Sequence, residues 1–193
     1  DVLPDYHRST LALGPDPDGE GDLFATVVRR AGQSASSRVV LAVHGFTDYF
    51  FNTELADHVA GSGHRLYGVD LHKCGRSWRS GQTPHFTTDL SRYDRDLELA
   101  LALITAENPG AEVIVYGHST GGLDRLHRRG DTAALGLTGL VLNSPFLDLN
   151  GPPMLRTRTT ARALSAASRV RKTRVVREAG KGGYGQTLHR DYD

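Results

Sequence analysis

A single cysteine, Cys74, is all the thiol this chain offers, so no internal disulfide can form and no thiolate zinc cage can be built. The nine histidines include no H-E-x-x-H pair, and no metal site is expected. Apolar runs are short, and none approaches the roughly 18 residues that a membrane-spanning helix needs. Charge of one sign is lacking too. Lys and Arg number 23 against 22 Asp and Glu, a net of +1, which gives no bulk attraction to nucleic acid. Gly180-Lys181-Gly182-Gly183 lacks the Walker A spacing, so phosphate binding is not expected there. No signal peptide opens the sequence, and a cytoplasmic location is expected. The first residue is Asp1 and not Met, so the true start is missing or processed.

What is present suits one domain with a substantial core: 193 residues, 38% of them apolar, with mixed charges. The charge is unevenly placed. Residues 150–193 carry ten Lys and Arg against three Asp and Glu, a net of +7 that leaves −6 for residues 1–149. Composition shifts at Gly151-Pro152-Pro153, which sets a boundary between a core, residues 1–149, and a basic segment, residues 150–193.

Strand and helix patterns alternate through the first part. His7 to Leu13 and Leu23 to Arg30 read as two strands with an antiparallel start, separated by the turn-rich Gly14 to Gly19. Arg38 to His44 is a continuous apolar run, the pattern of a strand buried on both faces. Asn52 can cap a short helix that Gly61 and Gly63 close, and Leu66 to Val69 is the next strand. The segment from Asp70 through Arg76 reads as a surface loop at the mouth of the site. Thr88 is expected to cap a long helix on which Leu90, Tyr93, Leu97, Leu101 and Ile104 recur at helical spacing, and Asn108-Pro109-Gly110 stops it. Leu137 to Asn143 forms a sixth strand. Alternation of this kind predicts an α/β fold with a mostly parallel sheet covered on both faces.

One stretch organises the rest. Val113 to Tyr116 has strong strand character and runs into Gly117-His118-Ser119-Thr120-Gly121-Gly122. This is G-x-S-x-G, the nucleophile elbow, in which a strand turns sharply into a helix with a serine at its apex. The turn strains the serine backbone and brings neighbouring backbone close, so the flanking positions demand glycine. Leu123 to Arg129 can continue as the helix. With the His44-Gly45-Phe46-Thr47 segment, the elbow resembles the α/β-hydrolases, nearest to the serine aminopeptidase (S33) and monoacylglycerol lipase or lysophospholipase-like branch. The resemblance covers residues from about Leu11 to Asp148. It implies a doubly wound sheet of eight strands with a cap inserted after the sixth. Six strands are found here and the last two have no counterpart, so the chain reads as truncated, with residues 150–193 as the start of the cap.

Ser119 is the candidate nucleophile; a serine hydroxyl needs a histidine to take its proton and a carboxylate to orient that histidine. The resemblance implies an oxyanion hole of backbone N–H groups from Phe46 and Thr120, whereas His44 and His118 read as structural hydrogen-bonders. A glycine-rich turn with an incidental serine, and a plain strand-end turn at His44-Gly45, are the readings without chemistry. In this fold the triad runs Ser, Asp or Glu, His along the chain. The resemblance puts the acid and the histidine beyond Asp193. Within the chain, Asp148 follows the sixth strand and His189 is the one histidine after it, so Ser119-Asp148-His189 has the required order.

The expected function is a serine hydrolase cleaving carboxylic esters, monoacylglycerol-like or lysophospholipid-like, with no cofactor implied. A non-catalytic α/β-hydrolase-like binding protein, or an inactive fragment, is the alternative from another class. Serine peptidase and acyltransferase activities stay open within the fold. The expected partner is a small-molecule ester or lipid, not nucleic acid. Residues 156–177, rich in arginine, form either a solvated basic face or a weak contact with an anionic membrane surface. Ending after the sixth strand exposes Leu140, Val141 and Leu142 on an uncharged edge, so self-association through that edge is expected.

Overall fold

A computed structural model describes residues 3–122 and 137–145, with Thr159 and Ala166 as isolated positions. The chain divides after Asn150 into two units, and the first carries the sheet. Its six strands are β1 (Tyr6–Pro15), β2 (Asp22–Arg30), β3 (Arg38–Val43), β4 (Arg65–Asp70), β5 (Glu112–His118) and β6 (Leu137–Asn143). Two helices are described in full, α1 (Thr53–Gly61) and α2 (Tyr93–Glu107). Among the described residues no helix is long and apolar enough to cross a membrane.

The sheet order is β1-β2-β4-β3-β5-β6. β1 pairs antiparallel with β2, and β2 with β4, whereas β4, β3, β5 and β6 run parallel to one another. The parallel strands need cover on both faces, and the sequence supplies it by alternation. Val39, Leu41 and Val43 of β3 face one way and join Val69, Val115, Ala100, Leu101 and Ile104 in one core. Ala42 faces the other way and joins Val28, Leu66, Phe50, Ala56 and Val59. Thus α2 covers one face of the sheet and α1 the other. Each large side chain buried in this way contributes about 1.5–3 kcal/mol.

The helix ends follow from side chains that satisfy free N–H groups. Asn52 caps α1, its Oδ1 accepting from Leu55 N at 2.9 Å. The start of the second helix differs from the expectation. A single 3₁₀ turn, Leu90–Arg92, precedes α2 and Asp89 caps it, accepting from Ser91 N at 2.8 Å. Thr88 does not cap it; its hydroxyl donates to Asp18 Oδ1 at 2.7 Å and accepts from Arg92 Nη2 at 3.1 Å. Leu90 consequently lies outside the apolar stripe and is exposed. The elbow helix expected at 123–129 lies outside the described residues.

The connection from β4 to α2 is not the surface loop that its polarity suggests. Asp70, Leu71, His72, Lys73 and Cys74 are all buried. Lys73 explains how so polar a run can be. Its Nζ lies 2.6 Å from Asp16 Oδ2 and 2.6 Å from Glu20 Oε2, both in the β1–β2 turn. Arg92 pairs with Asp18 of the same turn. Three carboxylates at alternate positions thus meet two cations from one loop, which ties the hairpin to the β4–α2 connection. Burial pushes the carboxyls of Asp16 and Glu20 up, but the hydrogen bonds and charge of Lys73 outweigh it and leave both below the usual range.

Lys73→Met removes one partner of a buried pair and should lower the unfolding free energy by about 3–5 kcal/mol in chemical denaturation. Because the folded carboxyls titrate lower than unfolded ones, the wild-type contribution is present above about pH 4 and is lost as pH falls further. In the variant that acid dependence should flatten. A variant as stable as wild type, with the same acid limb, would contradict this assignment.

Candidate active site

The site is assembled by strand register. β3 and β5 pair in parallel so that Val43 lies beside Gly117. The residues that follow each, His44-Gly45 and His118-Ser119, therefore emerge side by side at the C-terminal edge of the sheet. Open α/β sheets place their ligand sites along that edge. There the chain turns sharply through a 3₁₀ turn, Ser119–Gly122. A β-carbon on Gly121 would sit 2.5 Å from Val43 O and closer still to His44 O, and one on Gly117 would sit 2.7 Å from Gly121 O. Backbone atoms cannot yield as a side chain can, so both positions require glycine.

Ser119 occupies the apex at φ 52, a left-handed conformation that costs a residue with a β-carbon about 1–2 kcal/mol. It is half-buried. Gly45 lies directly against it: a β-carbon there would be 3.1 Å from Ser119 Cβ and 3.5 Å from its Oγ. The two segments singled out in the sequence are thus brought together, backbone to serine.

His44 fixes the peptide that follows Gly45. Its Nε2 accepts from Leu71 N at 3.1 Å, which leaves Nδ1 to donate to Gly45 O at 2.7 Å. Both ring nitrogens are engaged by backbone, so His44 is a structural residue, as expected, and not a base. In a trans peptide the carbonyl and the following N–H point opposite ways. With Gly45 O drawn to His44, the Phe46 N–H is turned away from it. His118 is likewise engaged, its Nδ1 accepting from Asn143 Nδ2 at 3.2 Å across to β6.

A second loop supports the first. Asp70, fully buried at the end of β4, accepts from Phe50 N at 2.8 Å, Arg76 N at 3.1 Å and Arg76 Nη1 at 2.9 Å. Arg76 Nη1 also donates to Phe50 O at 2.9 Å. One carboxylate and one guanidinium thereby clamp the loop after β3 to the loop after β4. Deeper in the second loop, His72 Nδ1 meets Asp96 Oδ2 of α2 at 2.9 Å, with both side chains buried. Burial raises the Asp96 carboxyl, and the bonds from His72 oppose that. Further along, His85 Nδ1 lies 3.3 Å from Cys74 Sγ, and its ring meets the exposed Phe46 ring nearly edge-on at 6.0 Å. None of Asp70, His72, Lys73, His85 or Asp96 is assigned a role by the sequence reading. Asp96 carried a signal, a carboxylate at the inward spacing of Tyr93, Ala100 and Ile104, and the alternate acids at 16, 18 and 20 carried another.

Among the described residues, five without glycine's freedom have positive φ: Thr47, Lys73, His85, Ser119 and Ser144. Each follows the C-terminal end of a parallel strand. No group of three or more His, Cys, Asp or Glu among the described residues is arranged to hold a metal ion. Asp148, His189, the arginine-rich 156–177 and Gly180 to Gly183 lie outside the described residues.

The elbow with its glycine-lined close approach, on this strand order, is the arrangement of a known family. Residues 34–186 match the family described as serine aminopeptidase, S33. The chain belongs to that family. Solved structures agree on the fold. A soluble variant of monoglyceride lipase from Saccharomyces cerevisiae, in complex with a substrate analog, is similar over 81% of this chain and 52% of its own, at 22% identity and a TM-score of 0.56. An α/β-hydrolase from Penicillium sp. sh18 matches 96% of this chain and 64% of its own, with 20% identity and a TM-score of 0.56. A thermostable carboxyl esterase from Bacillus coagulans, in complex with glycerol, covers 71% and 43% at 16% identity and a TM-score of 0.53. The S33 chain described here spans between two fifths and two thirds of the length of these proteins. Its sheet is the mostly parallel α/β-hydrolase sheet, with six strands described.

Gly121→Ala should be the most damaging small substitution at the elbow. Its β-carbon meets carbonyl oxygens of β3, so a loss of several kcal/mol in denaturation is expected, or failure to fold. His44→Phe keeps the ring but frees the Gly45 carbonyl. Labelling of Ser119 by a fluorophosphonate should then slow by about tenfold or more. Full labelling in that variant would remove His44 from the account.

Proposed function

We propose that this S33 protein is a serine hydrolase that cleaves carboxylic esters, with glycerol monoesters preferred over peptides. The observation that carries the reading is Ser119 held at φ 52 on the apex of the elbow, with the Gly45 backbone against it. A strained, glycine-flanked serine is costly to keep, and its use is to expose Oγ beside backbone donors. The glycerol preference draws on the monoglyceride lipase and on the carboxyl esterase that holds glycerol. Those are properties of those proteins, and they support the same class of substrate here.

In this mechanism a histidine, oriented by a carboxylate, takes the Ser119 proton as Oγ attacks the ester carbonyl. The carbonyl oxygen becomes an oxyanion that the backbone N–H groups of Phe46 and Thr120 stabilise, each worth about 3–4 kcal/mol of barrier. The intermediate collapses, the alcohol leaves with the proton from the histidine, and an acyl-enzyme remains. Water, activated by the same histidine, releases the acid. Asp148 and His189 satisfy the chain order for carboxylate and base within these residues. The family pattern assigns both roles to positions after the seventh and eighth strands.

Ser119→Ala should lower turnover on a glycerol monoester by about a millionfold and abolish the fluorophosphonate adduct, while leaving folding intact. An adduct mapped to another serine, with Ser119 untouched, would end the assignment. His189→Ala separates the two placements of the base. Loss of esterase activity supports Ser119-Asp148-His189, and unchanged activity supports a base beyond Asp193. A protein that folds yet neither takes the label nor hydrolyses any ester fits the non-catalytic binding alternative instead.

A further inference from the structure

His85 is held more firmly than a loop residue needs to be. It sits between β4 and α2 on the same sheet edge as Ser119, with its backbone at φ 59. Its N–H donates to Lys73 O at 2.9 Å, and Lys73 is itself fixed by Asp16 and Glu20. The half-exposed ring meets Phe46, which directly follows the glycine packed on Ser119. A strained conformation that the surroundings over-determine, close to a reaction centre, points to use.

The ring also has a neighbour that can select its tautomer. Burial pushes the Cys74 thiol up to about 12, with the Asp96 and Asp70 charges adding to it, so the thiol keeps its proton. The protonated thiol lies 3.3 Å from His85 Nδ1 and can donate its S–H there. Burial and the neighbouring His44 hold His85 below the usual histidine range, with Asp48 opposing, so the ring is neutral at pH 7. A neutral imidazole that accepts at Nδ1 carries its proton on Nε2. In that tautomer the side of the ring away from Cys74 presents one N–H donor and no charge.

We propose that His85 contacts substrate, its Nε2–H donating to a free hydroxyl on the alcohol part of the ester, so that uncharged polyol monoesters are favoured over phosphodiester headgroups. The proposal rests on the reading of Ser119 as an esterase nucleophile and names the substrate class for it. A phosphate is bound best by charged, multidentate donors, whereas a hydroxyl is satisfied by one neutral N–H. Nothing on this ring adds positive charge.

The test uses the full-length protein and esters of one acyl chain, glycerol monobutyrate and ethyl butyrate. The ratio of their kcat/KM values should fall about three- to tenfold in His85→Phe, which keeps an aromatic ring and removes the donor. His85→Asn, whose side chain tolerates the left-handed backbone and still donates, should retain part of the ratio. Fluorophosphonate labelling of each variant reports separately on Ser119 and the oxyanion groups. An unchanged ratio in both variants overturns the proposal. Equal losses on both esters overturn it too, and make His85 a positioning residue for Phe46. A labelled wild type that prefers a lysophospholipid to the glycerol monoester likewise rejects it. Absence of both label and ester cleavage in wild type defeats the reading of Ser119 itself, and this one with it.

Discussion

The approach of Gly121 to the carbonyls of Val43 and His44 is the constraint from which the working edge of this protein follows. It can exist only because β3 and β5 are neighbours in parallel register, with Val43 opposite Gly117. Once the turn is that tight, Ser119 is forced to positive φ and its side chain is lifted out of the sheet. The end of β3 then passes beside it, so closely that a β-carbon at Gly45 would press on Ser119 Cβ at 3.1 Å. Hydrophobic packing of the strands between α1 and α2 supplies the rigidity that lets backbone strain persist.

The loop after β4 has little apolar surface with which to hold itself, and it is fixed by charge. Asp70 with Arg76, and Lys73 with Asp16 and Glu20, take carboxylates and cations out of water together. Such pairs add little net stability against well-packed apolar residues, because desolvation offsets most of the attraction. What they provide here is a single geometry, since each has several donors or acceptors that no shifted register would satisfy. The loops that bear Phe46 and His85 thereby act as extensions of the sheet.

The fold was legible because its signals are local. A continuous apolar run marks β3, and β6 runs from Leu137 to Asn143 in the sequence reading and in the structure alike. The elbow is equally local, five residues whose glycines have a steric cause. The structure departs from the sequence reading where a residue's partner is distant. Lys73 meets Glu20 from 53 positions away, and Thr88 binds Asp18, 70 positions back. Polarity alone made Asp70 to Arg76 a surface loop, because a buried charge and an exposed one look the same until the counter-ion is found. Asp96 was missed although its signal is local, since a carboxylate on the inward stripe of a helix implies a buried partner.

The left-handed residues at Thr47, Lys73, His85, Ser119 and Ser144 have a consequence for how this protein can change. Each is a position where asparagine or glycine would relax the backbone, so selection for heat tolerance has its simplest gains there. Those gains lie on the one edge of the sheet where relaxation disturbs Ser119 and its neighbours. The antiparallel end, β1 and β2, offers no comparable conflict. Adaptation to temperature should therefore draw its substitutions from the hairpin and the helices, and leave the strained edge as a fixed inheritance.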